Sequence, residues 1–220
     1  TPLVTCITDI SMHPEWTAPQ TDIYLAPTQE IKRHLMKEGT RAEDILVTGI
    51  PVRQQFLDAD CRQKRERNRT RRVLIMGGGL GLMPDLKELL EKLHSMQGVE
   101  SVVITGKNHK MYEEWVNRYE DVEVLGYTEN ISRYMRGADL VITKAGGITL
   151  FEILHSQVPL FVIHPFLEQE MNNARYAAEK GFAKVIWGRR EDYIPELEKL
   201  LSDEKMMEEM TGNVRRACKE

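Results

Sequence analysis

The sequence has little cysteine, no long apolar run and nearly balanced charge. Its three cysteines are far apart, show no metal-binding spacing and cannot all pair, so we expect reduced thiols in a cytoplasmic protein. No apolar stretch reaches the roughly 18 residues that a membrane span needs, and no signal peptide is recognisable. A formal net charge of −4 gives no reason to expect a nucleic acid partner.

The chain begins at Thr1 without methionine and enters a strand-like run, Leu3–Thr8, almost at once. A natural chain start usually has a polar lead-in, so we expect the N-terminal section of a longer protein to be absent. The first 50 residues predict one helix, Gln29–Lys37, with Thr28 as its N-cap and Gly39 just past its end. Short strands are predicted around it at Leu3–Thr8, Ile23–Ala26 and Ile45–Val47.

Residues 51–72 read as a connection between two domains. Seven basic residues and a single acid, Glu66, lie between Arg62 and Arg72. One interpretation is a solvated linker. The other is a patch for anionic phospholipid, where each basic residue near the surface adds roughly 1 kcal/mol.

From Val73 onwards, short apolar strands alternate with helices. The strands are predicted at Val73–Met76, Val102–Thr105, Val122–Leu125, Leu140–Thr143, Leu160–Ile163 and Ala183–Ile186. The helices are predicted at Pro84–Met96, Met111–Tyr119, Ile131–Met135, Ile148–His155, Glu168–Lys180, Tyr193–Leu201 and Glu204–Cys218. This alternation predicts an α/β fold with a parallel sheet covered by helices on both faces. Ligands of such sheets bind at the carboxyl ends of the strands.

Polar loops follow several of these strands. The first, Gly77–Gly81, is glycine-rich and opens a helix, which suits phosphate, although such a cluster can also be a tight turn. It matches neither the P-loop nor the dinucleotide pattern.

The second loop, Lys144–Thr149, also opens a helix, and Glu152 lies four residues after Ile148, at the end of the first turn. Its carboxylate can accept hydrogen bonds from a ribose diol, or it can simply be a favourable charge near a helix N-terminus.

The third loop, Pro165–Glu170, leads to Asn173 and carries acid and amide side chains. Such side chains can hold sugar hydroxyls, or they can cap the helix that follows. Together the three loops describe a site for a diphosphate, a diol and a polyol. That combination is typical of a nucleotide sugar.

These motifs resemble those of monogalactosyldiacylglycerol synthases. The resemblance rests on Ile75–Pro84, on Ile142–Gly146 with Thr149 and Glu152, on Gln169-Glu170 with Asn173, on Thr8-Asp9 and His13–Trp16, and on Gly49–Arg53 with Phe56. It runs in order over almost the whole chain. It extends to bacterial diacylglycerol glucosyltransferases and, more remotely, to the transferase that adds N-acetylglucosamine to lipid I.

The resemblance implies a GT-B fold, in which two Rossmann-like domains face each other across a cleft. Residues 1–50 would be the last part of the N-terminal acceptor domain, and residues 51–72 the linker. Residues 73–206 would form the UDP-sugar-binding domain. Residues 207–220 would be a helix that crosses back towards the N-terminal domain.

The resemblance also implies roles for individual residues. Glu152 would hold the ribose, and the backbone at Tyr127 and Thr128 would meet the uracil. The diphosphate would be approached by Gly78, Gly79, Gly146, Gly147 and Thr149, and the hexose by Glu168, Gln169 and Glu170. His13 is a candidate catalytic residue near the acceptor, or alternatively a structural residue packed with Trp16. No Asp-x-Asp motif is present, so we expect no metal and no cofactor, with the UDP-sugar as substrate.

The implied reaction is the inverting transfer of galactose or glucose from UDP to a membrane lipid such as diacylglycerol. Helix N-termini would stabilise the charge on the leaving diphosphate. The protein would be cytoplasmic and peripheral on the membrane, attracted by its anionic surface. A UDP-sugar 2-epimerase of the same fold and a non-catalytic UDP-sugar-binding module are the alternatives.

The sequence departs from the family pattern at three places. The family often has Pro and Gly where this chain has Gly147 and Ile148, and usually has Gly at the position of Glu168. The family's N-terminal glycine-rich loop with its histidine has no counterpart here. We therefore expect this chain to bind the donor better than it catalyses transfer.

Overall fold

The computed structural model describes residues 1–12, 16–18, 20–57, 70–77, 86–188 and 192–219, which form two parallel sheets with their helices. The smaller sheet has the order β1-β2-β3. Its elements are β1 (Val4–Cys6), β2 (Ile23–Ala26), α1 (Gln29–Lys37) and β3 (Ile45–Val47). As predicted, Thr28 caps α1, its hydroxyl accepting a hydrogen bond from the Ile31 amide at 3.2 Å. Gly39 follows with φ +97°, a value that favours glycine.

One face of the smaller sheet is covered by α1. Ile31 and Leu35 on the apolar side of this helix pack against Ile7, Tyr24 and Ile45 of the sheet. On the other face Val4 and Leu46 are exposed. The smaller sheet therefore has a core on one side only within the described residues.

The larger sheet has six parallel strands in the order β6-β5-β4-β7-β8-β9. These strands are β4 (Arg71–Met76), β5 (Val99–Ile104), β6 (Val122–Leu125), β7 (Leu140–Thr143), β8 (Leu160–Ile163) and β9 (Ala183–Ile186). The helices are α2 (Leu86–Ser95), α3 (His109–Trp115), α4 (Ile131–Gly137), α5 (Gly147–Ser156), α6 (Glu168–Glu179), α7 (Ile194–Ser202) and α8 (Glu204–Ala217). The order reverses between β4 and β7, which leaves a crevice at the carboxyl ends of these two neighbouring strands.

Both faces of the larger sheet are buried. In β4, Val73 and Ile75 join the core formed with α2, α3 and α7, while Leu74 and Met76 join the core formed with α4, α5 and α6. The continuous apolar runs of its strands follow from this burial on two sides. The last helix, α8, contributes to both cores, with Met207 and Met210 in the first and Val214 and Ala217 in the second. That this helix also crosses back to the smaller domain stays a prediction.

Part of the predicted linker packs firmly on the larger sheet. The Phe56 ring is buried in the core formed with α4, α5 and α6, called the second core below. The backbone carbonyl of Phe56 accepts a hydrogen bond of 2.8 Å from Arg136 Nη2. Gln55 donates to the Glu129 carbonyl at 2.8 Å and accepts from the Ser132 amide at 3.3 Å. The segment 52–57 is thereby fixed to α4 and its preceding loop.

The basic segment divides between described and undescribed residues. Residues 62–69 lie outside the described part of the chain. Arg71 and Arg72 are residues of β4, where Arg71 pairs with Glu204 and Arg72 with Glu100 at 3.3 Å. These two arginines therefore belong to a paired strand and are not part of a solvated linker. Within the described residues, no helix combines the length and apolar character needed to cross a membrane.

Candidate functional site

The described loops that the sequence singles out gather at one edge of the larger sheet. Because all its strands are parallel, the segments that follow β6, β7 and β8 leave from the same carboxyl edge. This edge carries the predicted site residues Tyr127, Thr128, Gly146, Gly147, Thr149, Glu152, Glu168, Gln169 and Glu170. Of the other predicted residues, His13, Gly78 and Gly79 lie outside the described part of the chain.

The loop after β7 leads directly into α5 at the crevice. Gly146 is the N-cap residue, and no described side chain caps the first turn of this ten-residue helix. The first amide groups of a helix have no partner within the helix, and its N-terminus carries a positive partial charge. This end of α5 is therefore suited to an anionic group such as a phosphate.

Glu152 is a buried carboxylate that forms a two-bonded ion pair. Arg53 Nε and Nη2 donate to its two oxygens at 2.8 and 3.0 Å, and the side chain of Glu152 is only 4% exposed. The helix begins at Gly147, so Glu152 is its sixth residue and lies beyond the first turn. The sequence pattern had predicted a position at the end of that turn. Its main electrostatic partner is the guanidinium, because the field of the helix terminus falls off within one turn.

The ion pair leaves part of the hydrogen-bonding capacity of Glu152 unused. A carboxylate offers about four acceptor positions, and the Arg53 fork occupies two of them. Arg53 itself is half-exposed and stacks near the Phe56 ring, 5.4 Å from its centre. Sequence reasoning did not assign Arg53 to the site, because the two partners are 99 residues apart and no local spacing signals such a contact.

The loop after β8 presents polar side chains that do not cap the helix behind it. Leu167 is the N-cap residue of α6, and no described side chain accepts a hydrogen bond from its first turn. Glu168 and Gln169 are exposed, and Glu170 is half-buried. These three side chains are available for a ligand at the sheet edge, and the capping alternative finds no support.

The segment after β6 is the outermost part of this edge. Tyr127 is 69% exposed, and the Thr128 hydroxyl accepts a hydrogen bond from the Asn130 amide at 3.1 Å. The assignment of this segment to uracil stays a prediction.

Asn173 ties the smaller sheet to this edge. It is completely buried on α6, and its Nδ2 donates to the Ala145 carbonyl at 2.9 Å and to Asp9 Oδ1 at 3.3 Å. The side-chain oxygen of Asn173, Oδ1, accepts a hydrogen bond from the Ile10 amide, also at 3.3 Å. The loop that follows β1 thus lies against the loop between β7 and α5, so Asp9 joins the site.

Gly147 allows this close approach. A β-carbon at its position would lie 2.0 Å from the Thr8 carbonyl oxygen and 3.1 Å from Asp9 Oδ1. No side chain can occupy that space, so only glycine permits the backbone of the smaller sheet to touch the start of α5. The sequence used Thr8 and Asp9 only as part of a resemblance, because hydrophobic patterns carry no signal for contacts between sheets.

The far end of α5 carries a perturbed histidine. Burial lowers the pKa of His155 below its ordinary value, and the nearby Arg136 guanidinium lowers it further. His155 lies on the last turn of α5, at the opposite end from Gly147. It is therefore not part of the crevice.

Comparison with protein families gives two matches that divide the chain. Residues 72–217 match the model of the glycosyltransferase family 28 C-terminal domain. Residues 1–52 match the model of monogalactosyldiacylglycerol (MGDG) synthase. The resemblance inferred from the sequence motifs is confirmed by both matches.

Curated relatives cover nearly all of the chain. It is 34% identical over 227 residues to a processive diacylglycerol β-glucosyltransferase of Bacillus licheniformis, and 33% identical over 223 residues to that of Bacillus subtilis. Each alignment covers 97% of this chain and 58% of the relative. The chain thus spans little more than half the length of these relatives.

Solved structures confirm the fold class. The chain is similar to Acinetobacter baumannii MurG, with a TM-score of 0.66, 15% identity, and coverage of 98% of this chain and 62% of that one. It is also similar to the UDP-GlcNAc 2-epimerase of Neisseria meningitidis, with a TM-score of 0.64, 17% identity, and coverage of 90% and 57%. At these identities the likeness concerns the fold, which is the predicted GT-B class of Rossmann-like parallel sheets.

Proposed function

The chain belongs to glycosyltransferase family 28, and we propose that the whole protein transfers a hexose, galactose or glucose, from a UDP-sugar to diacylglycerol with inversion. The observation that carries this proposal is the arrangement at the crevice. An uncapped helix N-terminus at Gly147 and a buried carboxylate at Glu152 lie on α5, and polar side chains open α6 beside it. The relatives, named as diacylglycerol glucosyltransferases, favour this reaction over the epimerase and binding-module alternatives.

In this proposal α5 and α6 bind the donor. The amides at Gly146, Gly147 and Thr149 approach the diphosphate, and Glu152 accepts hydrogen bonds from the ribose hydroxyls with the positions that Arg53 leaves open. Glu168, Gln169 and Glu170 lie on the neighbouring loop and would hold the hexose hydroxyls. Gly78 and Gly79 would complete the diphosphate site from the loop after β4.

The helix N-terminus also has a catalytic part in this scheme. As the bond to the anomeric carbon breaks, the leaving diphosphate gains negative charge. Fixed amide dipoles at the start of α5 stabilise that charge without reorganising during the reaction. We propose that the UDP-sugar is a substrate and that no further cofactor or metal is needed.

The acceptor and its location complete the proposal. Diacylglycerol is insoluble, so the enzyme has to work at a membrane surface. We propose peripheral attachment to the cytoplasmic membrane, supported by the basic residues between Arg62 and Arg69 and by the attraction of anionic lipid, roughly 1 kcal/mol per basic residue. Arg71 and Arg72 are excluded because they are residues of β4 and pair with Glu204 of α8 and Glu100 of β5.

Product analysis with the full-length protein tests the function. Radiolabelled UDP-glucose or UDP-galactose is incubated with diacylglycerol in micelles, and lipid and nucleotide products are separated. A β-linked glycolipid together with free UDP is the expected result. A 2-epimerised UDP-sugar, or UDP-sugar binding without any product, would refute the proposal and identify which alternative is correct.

Vesicle co-sedimentation tests the membrane contact separately. The wild type is compared with a variant in which Arg65, Arg67 and Arg69 are changed to Gln, at low and high salt. We expect the wild type to bind anionic vesicles more strongly, and salt to weaken this binding because exposed charges are screened within about 8–10 Å. Equal binding of both proteins at low salt would assign the segment to a solvated linker.

A further inference from the structure

Asn173 is a completely buried amide whose two ends have different partners. Its Nδ2 donates to the Ala145 carbonyl at 2.9 Å and to Asp9 Oδ1 at 3.3 Å, and its Oδ1 accepts from the Ile10 amide at 3.3 Å. Because a carbonyl needs a donor and an amide needs an acceptor, the side chain fits in one orientation only. A carboxylate or an apolar side chain of the same shape would leave at least one of these partners unbonded.

The helix that carries Asn173 is firmly anchored. Ala174 and Ala177 of α6 are completely buried in the second core, where they join Leu150 and Ile153 of α5. Asn173 therefore extends from a rigid base, as a side chain that fixes a neighbouring loop requires.

The loop that Asn173 holds is flexible by sequence, because Gly146 and Gly147 allow many backbone conformations. The Ala145 carbonyl belongs to the planar peptide unit that joins Ala145 to Gly146. The amide end of this unit donates to the Lys144 carbonyl at 2.9 Å, which is a contact within the loop. Asn173 bonds the carbonyl end from outside the loop and so fixes the orientation of the whole unit.

This peptide unit leads directly into α5. Gly146 is the N-cap residue, and its carbonyl accepts the first bond of the helix, from the Leu150 amide at 2.9 Å. The amides of Gly147, Ile148 and Thr149 come before that bond and have no partner within the helix. Their direction relative to the crevice depends on the peptide unit before them.

We infer that Asn173 is a positioning residue of the leaving-group site, an inference that rests on the proposed function. Through the Ala145 carbonyl it fixes the first amides of α5 towards the diphosphate. These amides then need no reorientation when the diphosphate gains charge, which is the condition under which fixed dipoles lower a barrier most. Asn173 thus affects the reaction through the loop that it holds.

The nucleoside half of the donor does not depend on this contact. Glu152, which is proposed to hold the ribose, is fixed by Arg53 from the segment 52–57. Loss of Asn173 should therefore weaken the hold on the diphosphate and leave the hold on uridine unchanged. A general loss of structure would weaken both.

The test compares Asn173→Ala with wild type in the full-length protein. We expect the Kd for UDP, measured by calorimetry, to rise at least about tenfold, as for a weakened hydrogen bond to a charged group. The Kd for uridine, measured by ligand-observed NMR, should stay within about twofold. The kcat for transfer to diacylglycerol should fall by about 10²-fold, the effect of a small misplacement of groups around the reacting atoms.

Asn213→Ala is the matched control. Asn213 Nδ2 also donates to a loop carbonyl, that of Gly181 at 2.8 Å, but this loop follows α6 and lies at the end of the helix away from the crevice. The control should lower the melting temperature, because a loop carbonyl loses its partner. Both Kd values and kcat should stay within about twofold of wild type.

Asn173→Ser is the second variant, because it leaves less empty space than alanine and keeps one hydroxyl donor. It should show the same difference between UDP and uridine at a smaller size. Wild-type UDP affinity and kcat in either folded Asn173 variant would overturn the inference. Equal losses of UDP and uridine affinity, or an Asn213→Ala variant with the same kinetic defect, would overturn it as well.

The proposed function is tested by a different result. A wild type that makes no glycolipid overturns the transferase proposal, whatever the variants do. The role of Asn173 is then decided by the two Kd values alone, because binding of UDP and uridine needs no acceptor.

Discussion

The two sheets of this chain contrast in how their strands are buried. In the larger sheet β7 and β8 are buried at every position, because helices cover both faces. In the smaller sheet most residues of β1 and β3 are exposed, because helix α1 covers only one face of this sheet. The larger sheet therefore contains most of the described core. The contribution of the smaller sheet is to place the loop with Asp9 at the crevice.

The contact between the two sheets is also unlike either core. Its polar part is one buried amide, Asn173, which bonds to Ala145, Asp9 and Ile10, and Ile10 also packs against the second core. Such a contact contributes less free energy than apolar burial but fixes orientation closely. The apolar core of the larger sheet thus contributes most of the free energy of folding, and the contact between the sheets fixes their relative orientation. Separate substitutions can perturb each of them.

The strongest test of this contrast removes volume from each sheet. Phe161→Ala in β8 should reduce the free energy of unfolding by about 3–5 kcal/mol, because the ring is completely buried and leaves a cavity. Leu46→Ala in β3, where the side chain is 51% exposed, should change it by no more than about 0.5 kcal/mol. Urea denaturation measures both values. Equal losses would show that the exposed face of the smaller sheet is covered by something in solution.

The second test adds volume at the contact between the sheets. Gly147→Ala would place a methyl group 2.0 Å from the Thr8 carbonyl oxygen, so the two sheets have to move apart. We expect a loss of about 1–3 kcal/mol in urea denaturation, typical of overpacking. Gly146→Ala is the matched control, because its methyl group would meet nothing closer than Thr149 Oγ1 at 3.9 Å. A control as damaging as Gly147→Ala would point to the loop itself and not to the contact.

The third test concerns ligand binding. Glu152→Gln should weaken UDP binding by about 1–3 kcal/mol, the usual cost of losing a charged hydrogen-bond partner. Glu179→Gln, an exposed position on α6, serves as the control for the loss of one negative charge. Calorimetry on the folded variants measures both affinities. If Glu152→Gln binds UDP like the wild type, the ribose assignment is wrong and the carboxylate serves only Arg53.

The smallest effect is expected at His155 in the larger domain. Burial and Arg136 lower its pKa in the folded state below the ordinary value of 6.5, so the unfolded chain binds more protons as the pH falls below that value. Stability contributed by the neutral ring is present above about pH 6.5 and is lost towards the folded-state pKa. His155→Asn should therefore show a smaller fall in melting temperature between pH 7.5 and pH 5.5 than the wild type. An identical fall in both proteins would contradict this.

Most strands could be predicted because each is a short apolar run bounded by polar residues. The bounds of β6, β7, β8 and β9 agree with the pattern residue for residue. The starts of β4 and β5 were missed, because Arg72 and Glu100 are polar. They face each other across the ladder and pair through their side chains, so the strands continue where hydrophobicity stops.

Helix ends were less predictable for a similar reason. The helix α3 ends at Trp115, short of the predicted Tyr119, because Asn117 adopts φ +60°, which a helix cannot continue. Within the site, the sequence predicted that the loops after β7 and β8 lie at one edge of the sheet, and they do, since these strands are parallel. It could not predict the pairing of Arg53 with Glu152, which depends on how residues 52–57 dock on the larger sheet, or of Asp9 with Asn173, which depends on how the two sheets meet.

The docking of residues 52–57 on the larger sheet has a mechanical consequence. Thr48 still donates to the Ala26 carbonyl of the smaller sheet at 3.0 Å, so only Gly49, Ile50 and Pro51 remain between the two anchored parts. Three residues span at most about 10 Å. The proline ring fixes one backbone angle, and Gly49 has φ +76°. Any movement of one sheet relative to the other would therefore have to be accommodated within this short segment, which directly precedes Val52 and Arg53.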